Sequence, residues 1–124
     1  MSWTVWLTLA AGIVLLVAWK RFASRLKPEE VETIRRAVAD GAVLLDVRTT
    51  DEYSRGHLDG AQNVPLEQLM AGVGRVGKKN RPVVVYCHSG ARSRMAVSFL
   101  KQKGYSRALD LRVMRNWSAV RTGP

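Results

Sequence analysis

A chain of 124 residues, 47% hydrophobic and 24% charged with no repeat or low-complexity tract, has room for one ordinary domain and excludes two. Its one cysteine excludes an internal disulfide and suits a reducing compartment. The net charge of +10 admits anionic partners, yet no aromatic–basic alternation or nucleic-acid motif accompanies it, so no nucleic-acid partner is expected.

The first element is WTVWLTLAAGIVLLVAW, Trp3 to Trp19, and residues 1–19 carry no charged side chain. As a helix these residues span about 25 Å, a little short of a hydrocarbon core of about 30 Å. Phe22 and Ala23 continue the apolar surface while Lys20 and Arg21 can snorkel. Trp3, Trp6 and Trp19 sit near the ends, where amphipathic rings prefer the interface. The segment is apolar all round, has no basic region ahead of it and ends without a small-x-small cleavage site. It reads as a retained transmembrane anchor over residues 1–21, with the lipid bilayer as partner, rather than as a core helix or a signal peptide. Lys20, Arg21, Arg25 and Lys27 follow it. The positive-inside rule then sets the N-terminus outside and the C-terminal domain in the cytoplasm, at the inner (cytoplasmic) membrane.

Residues 22–27 read as a linker or a short first strand. Pro28-Glu29-Glu30 opens a helix, with Val31, Ile34, Ala37 and Val38 as its apolar stripe and Gly41 as its stop. Ala42–Leu45 is short and wholly apolar, which predicts a strand buried on both faces, and it runs into Asp46-Val47-Arg48. A helical turn at Asp51–Tyr53, an extended piece at Ala61–Val64 and a helix from Pro65 to about Met70 come next. Gly72, Gly74 and Gly77, with Lys78, Lys79 and Asn80, form a loop. Pro82–Tyr86 is a second buried strand. Arg94–Lys103 is a helix with Met95, Ala96, Phe99 and Leu100 inward and Gly104 as its terminator. A strand at Arg107–Leu111 and a closing turn or helix at Asn116–Arg121 complete the chain. Strands alternating with helices predict an α/β fold with a mainly parallel sheet flanked by helices.

In such a sheet ligands bind at the carboxyl ends of strands. There stands the lone cysteine, in YCHSGARS, directly before a helix. Gly90 permits backbone angles that other residues avoid, so the loop from His88 through Ser89, Gly90 and Ala91 to Arg92 can turn its amides to one centre. The helix N-terminus adds partial positive charge. Together they favour a thiolate, drawing the thiol pKa from about 8.5 toward the roughly 3.5–7.5 of reactive cysteines. Cys87 therefore reads as a nucleophile in an anion-binding loop; the competing reading is an inert buried cysteine, with Arg92 as a surface residue.

DVRTTDEYSRGHLDGAQNVPL followed by YCHSGARSRMAVSFLKQKGY resembles the single-domain rhodaneses, or sulfurtransferases, over about residues 28–120. The resemblance implies a rhodanese-like domain at 28–121. It implies an enzyme whose Cys87 takes a sulfane sulfur from a donor such as thiosulfate, becomes a persulfide, and passes it to a thiol or cyanide acceptor. It makes residues 88–92 the source of loop amides and Arg92 the loop-closing arginine. Asp46, Arg48 and Glu52 are then supports holding strand and loop together, with Ser93 a further support and His57 structural. No cofactor and no metal is implied, and no protein partner is indicated.

Two positions depart from the pattern. His88 replaces the arginine common after the cysteine in thiosulfate-handling relatives, which leaves the donor open. Arg112-Val113 stands where relatives carry Gly-Gly, so the turn must differ or be strained, and Arg112 is either an added positive charge near the pocket or a solvated surface residue. Two alternatives stay open: a catalytically silent rhodanese-like docking module at the membrane, and a cysteine phosphatase or arsenate reductase. Against the latter, C-x4-R from Cys87 to Arg92 is one residue shorter than the phosphatases' loop.

Overall fold

The computed structural model describes residues 2–72 and 76–122. Gly74, expected in the loop after residue 70, lies outside the described residues. Helix α1 runs Trp3–Ala23, and none of its residues is buried, so it is not a core helix. Its 21 residues span about 31 Å at 1.5 Å each, enough for a hydrocarbon core. By length and a mean hydropathy of 1.6 it is a candidate membrane span.

Residues 22–27 form no strand: Phe22 and Ala23 continue α1, and Ser24 caps it with its amide on Lys20 O at 3.0 Å. Residues 25–27 have no regular structure. Lys27, before a proline, is held extended at φ −73, ψ 155. Helix α2 (Pro28–Ala39) follows, opened by the Lys27 amide donating to Glu30 Oε2 at 2.7 Å. Ile34 and Ala37 are buried in it, whereas Val38 is 38% exposed and leaves the expected stripe.

Strand β1 (Val43–Asp46), helix α3 (Thr50–Ser54), strand β2 (Gln62–Asn63) and helix α4 (Leu66–Met70) come next. They are followed by strand β3 (Val83–Cys87), helix α5 (Ala91–Gln102), strand β4 (Ala108–Val113), a 3-10 turn at Met114–Asn116, and helix α6 (Trp117–Arg121). The four strands pair in the order β2-β1-β3-β4, all parallel.

Period-two alternation divides the core. Val43, Leu45, Val83, Val85 and Cys87 face α4 and α5 through Leu69, Ala96 and Leu100. Leu44, Val84 and Tyr86 face α2 and α6 through Ile34, Ala37 and Val120. Both faces are covered, which is why β1 and β3 read as uninterrupted apolar runs. The alternation puts the cysteine on the α5 side at a carboxyl end of the sheet. Helix α5 starts three residues earlier than its apolar pattern, and Met95 is 52% exposed. Its inward positions are Ser93, Ala96 and Leu100.

Candidate active site

Cys87 ends β3 and is 0% exposed. The chain then turns at Gly90, whose φ of 95 lies in the left-handed region and makes glycine the residue without strain there. The turn brings two amides onto the sulfur: Gly90 N at 3.0 Å and Ser93 N at 3.4 Å from Sγ. Of the loop residues 88–92, Gly90 supplies an amide to Sγ; the second donor is Ser93, beyond that span. The Ser93 hydroxyl in turn donates to Gly90 O at 3.0 Å, tying the loop to the first turn of α5. His88, Ser89 and Ala91 are exposed on the outer side of the loop. Amides converging at the start of a 12-residue helix stabilise negative charge on the sulfur or on a group attached to it.

Arg92 locks the loop from outside. Its guanidinium donates to both carboxylate oxygens of Glu52, at 2.7 and 3.0 Å, a planar two-bond pairing. Glu52 sits in α3, where Thr49 caps the helix and donates from its amide and hydroxyl to Oε1 at 3.2 and 3.1 Å. The Arg92 guanidinium, with help from Thr49, holds the Glu52 carboxyl down at about 2.

Asp46 and Arg48 form a separate unit rather than one cluster with Glu52. The buried Arg48 guanidinium spans Asp46, Nη2 to Oδ2 at 2.6 Å, and reaches Gly56 O at 2.7 Å. Arg48 N also donates to Asp46 Oδ1 at 2.9 Å. This pair pins the α3–β2 segment to the end of β1. Tyr86, whose phenol is pushed up by burial, accepts from Leu58 N at 3.1 Å and braces the same segment. His57 stacks on Tyr53 at 3.7 Å between ring centroids and lies 3.0 Å from Tyr53 O through Nδ1, a structural placement.

Arg112 is the one non-glycine residue at positive φ among those described, at 70. The β3–β4 register shifts between Val85 and Tyr86, skipping Leu111, so the strand bulges where the family pattern has glycine. Its guanidinium is not free over the loop: Nη1 donates to Arg25 O at 2.6 Å and Nη2 pairs with Glu30 at 2.9 Å. Its Cβ lies 3.5 Å from the position a Cβ on Gly90 would take, so the bulge backs the cysteine loop.

Asp110 is a group the sequence did not single out. Burial pushes its carboxyl up, against the hydrogen bond it accepts from the Arg112 amide at 2.8 Å. A lone carboxylate inside ALDLRV was its available signal.

Comparison with known proteins places this arrangement. The family model described as Rhodanese-like domain matches residues 30–115. A sulfurtransferase from Allochromatium vinosum is 38% identical over 78 residues, covering 63% of this chain and 72% of that protein. The thiosulfate sulfurtransferase GlpE of Pseudomonas fluorescens is 33% identical over 87 residues, covering 70% and 76%. Among solved structures, the Rhodanese_3-like domain of the Anabaena Alr3790 protein superposes with a TM-score of 0.58 at 29% identity, covering 68% of this chain and 97% of that one.

Proposed function

Given that the chain belongs to the rhodanese-like domain family, we propose that it is a membrane-anchored sulfurtransferase working through a persulfide on Cys87. The observation that carries the reading is the sulfur at the end of β3, with the Gly90 and Ser93 amides at 3.0 and 3.4 Å. In the first half-reaction the Cys87 thiolate attacks the sulfane sulfur of a donor such as thiosulfate. The donor's S–S bond breaks, sulfite leaves with the electron pair, and Cys87 carries a persulfide. In the second, a thiol or cyanide acceptor attacks the outer sulfur and the electron pair returns to Cys87. No outside oxidant or reductant is needed. Gly90 and Ser93 steady the charge on sulfur at both stages, and Arg92, fixed by Glu52, keeps the loop in register. Helix α1 holds the domain at the bilayer, with residues 28–121 on the cytoplasmic side.

Mass spectrometry of the purified chain, with and without thiosulfate, tests the chemistry. One sulfur added to Cys87 and discharged by cyanide is expected, and Cys87→Ser should neither gain it nor turn over. An unmodified Cys87 with every sulfur donor tried would sink the reading. Orientation is tested by reporters fused after Pro124: those active only in the cytoplasm should work, and activity of those that work only outside would reverse the topology.

A further inference from the structure

The end of α1 is bolted to the sheet rather than tethered. Asn116, buried, donates from Nδ2 to Ser24 O at 2.7 Å and to Leu111 O at 2.9 Å. Arg115 donates to the Ser24 hydroxyl, and Arg112 holds Arg25 O at 2.6 Å. These bonds fix which part of the domain faces the helix. That part is the cysteine loop: a groove of about 690 Å³ is lined jointly by the last turns of α1 and by His88–Ala91. Its volume falls within the roughly 300–1,000 Å³ of small-molecule sites.

The lining has two characters. Helix α1 contributes Val17 and Trp19, both largely exposed, while Lys20, Arg21, Arg94 and Arg115 contribute positive charge that outnumbers the one carboxyl in the lining, Asp110. Trp19 and Lys20 also mark where an apolar span meets water. With α1 across a bilayer, a loop held against them would lie at the headgroup layer rather than out in the aqueous phase. A small inorganic anion uses the cations but has no use for an apolar wall continuous with the membrane. A molecule with an anionic sulfur head and an apolar tail uses both.

We infer that the sulfur acceptor is an amphipathic thiol carried in the membrane, which presents its thiolate to the cysteine loop through this groove while its tail lies along Val17 and Trp19. The inference rests on the sulfurtransferase reading and on α1 spanning the bilayer. The acceptor thiolate attacks the outer sulfur of the Cys87 persulfide, and the S–S bond to Cys87 breaks. The electron pair stays on Cys87 as thiolate, and the acceptor leaves as a persulfide with the proton of the transferred sulfur.

The test uses the full chain in phosphatidylcholine vesicles, thiosulfate as donor, and octanethiol or mercaptoethanol as acceptor. The quantity read is the octanethiol-to-mercaptoethanol ratio of kcat/KM, compared among variants in the same vesicles so that partitioning cancels. Trp19→Ala, at an exposed position, should lower the ratio roughly fivefold or more, as expected for lost apolar contact. Trp3→Ala, at the far end of α1, should leave it unchanged. An unchanged ratio in Trp19→Ala, an equal fall in Trp3→Ala, or sulfur loading of Cys87 without transfer to octanethiol would overturn the inference and leave the sulfurtransferase reading standing. Failure of Cys87 to load at all would overturn both.

Discussion

Glu52 and Arg92 close the site through one two-bond pair, and the acid side of that pair sets a pH window. The Glu52 carboxyl is held at about 2 by Arg92, against an unfolded value of about 4.3. A depressed carboxyl contributes stability that is fully present above the unfolded pKa and is lost as pH falls through the folded one. The full-length protein in detergent should therefore lose stability between about pH 4.5 and pH 2, and Glu52→Gln should flatten that part of the profile. Equal slopes in both proteins would remove Glu52 as the cause. Arg112 sets two opposed effects in one residue: a left-handed backbone that costs an L-residue about 1–3 kcal/mol, and a half-exposed pair with Glu30 worth about 1 kcal/mol at most. Glycine relieves the first and loses the second, whereas alanine keeps the strain and loses the pair. Arg112→Gly should thus be more stable than Arg112→Ala by about 1 kcal/mol in chemical denaturation; a less stable glycine variant would rule out backbone strain at this position. Cys87, Gly90 and Arg92 were legible in the sequence because their relation is local, within one loop. The pairing of Arg92 with Glu52 and of Arg112 with Arg25 and Glu30 was not, because forty or more positions separate the partners and only the folded sheet brings them together.

Helix α5 joins the loop's geometry to the core, so loop length is a property of the element. Ser93, Ala96 and Leu100 face inward, and Arg92 leaves toward Glu52 from the same first turn. One residue inserted between Ala91 and Arg92 must either rotate the start of the helix by about 100° or loosen the turn at Gly90. Sulfur transfer should fall by about a hundredfold, the scale on which misplacement near 1 Å acts, while the domain stays folded on its unchanged strands. Transfer within twofold of the parent would show that Gly90 and Ser93 need not be in register with Arg92. The elements themselves were legible wherever apolar runs were long, as at β1 and β3. The start of α5 was missed because its buried first contact is a serine, whose hydroxyl is satisfied by Gly90 O rather than by water. Hydrophobicity alone points Met95 inward, and the helix turns it to the surface.

At the scale of the whole molecule, the join between α1 and the domain carries energy as well as topology. Deleting residues 1–21 removes most of α1 but keeps Ser24 and Arg25, whose carbonyls accept from Asn116 and Arg112. Deleting residues 1–27 removes both carbonyls and leaves the buried Asn116 amide short of a partner. The shorter deletion should yield a soluble folded domain. The longer one should be less stable by about 1–3 kcal/mol, the cost of leaving a buried donor unmade, as read by urea midpoints. Equal midpoints would mean that the junction contributes nothing. The apolar helix itself was legible from composition; its attachment was not, because Ser24 looks like any linker residue until β4 is folded beside it.

The depth of Cys87 has a bearing on crowding. If α1 holds the chain in a bilayer, as proposed, copies confined to that membrane meet far more often than the same number free in a volume, and a thiol on the surface would invite two of them to couple. A disulfide needs the two sulfurs about 2.05 Å apart and the Cα atoms within about 7 Å. A cysteine at 0% exposure behind its own loop cannot meet that condition with a neighbour unless the loop opens. Burial thus leaves collisions between copies unproductive for as long as the loop stays closed.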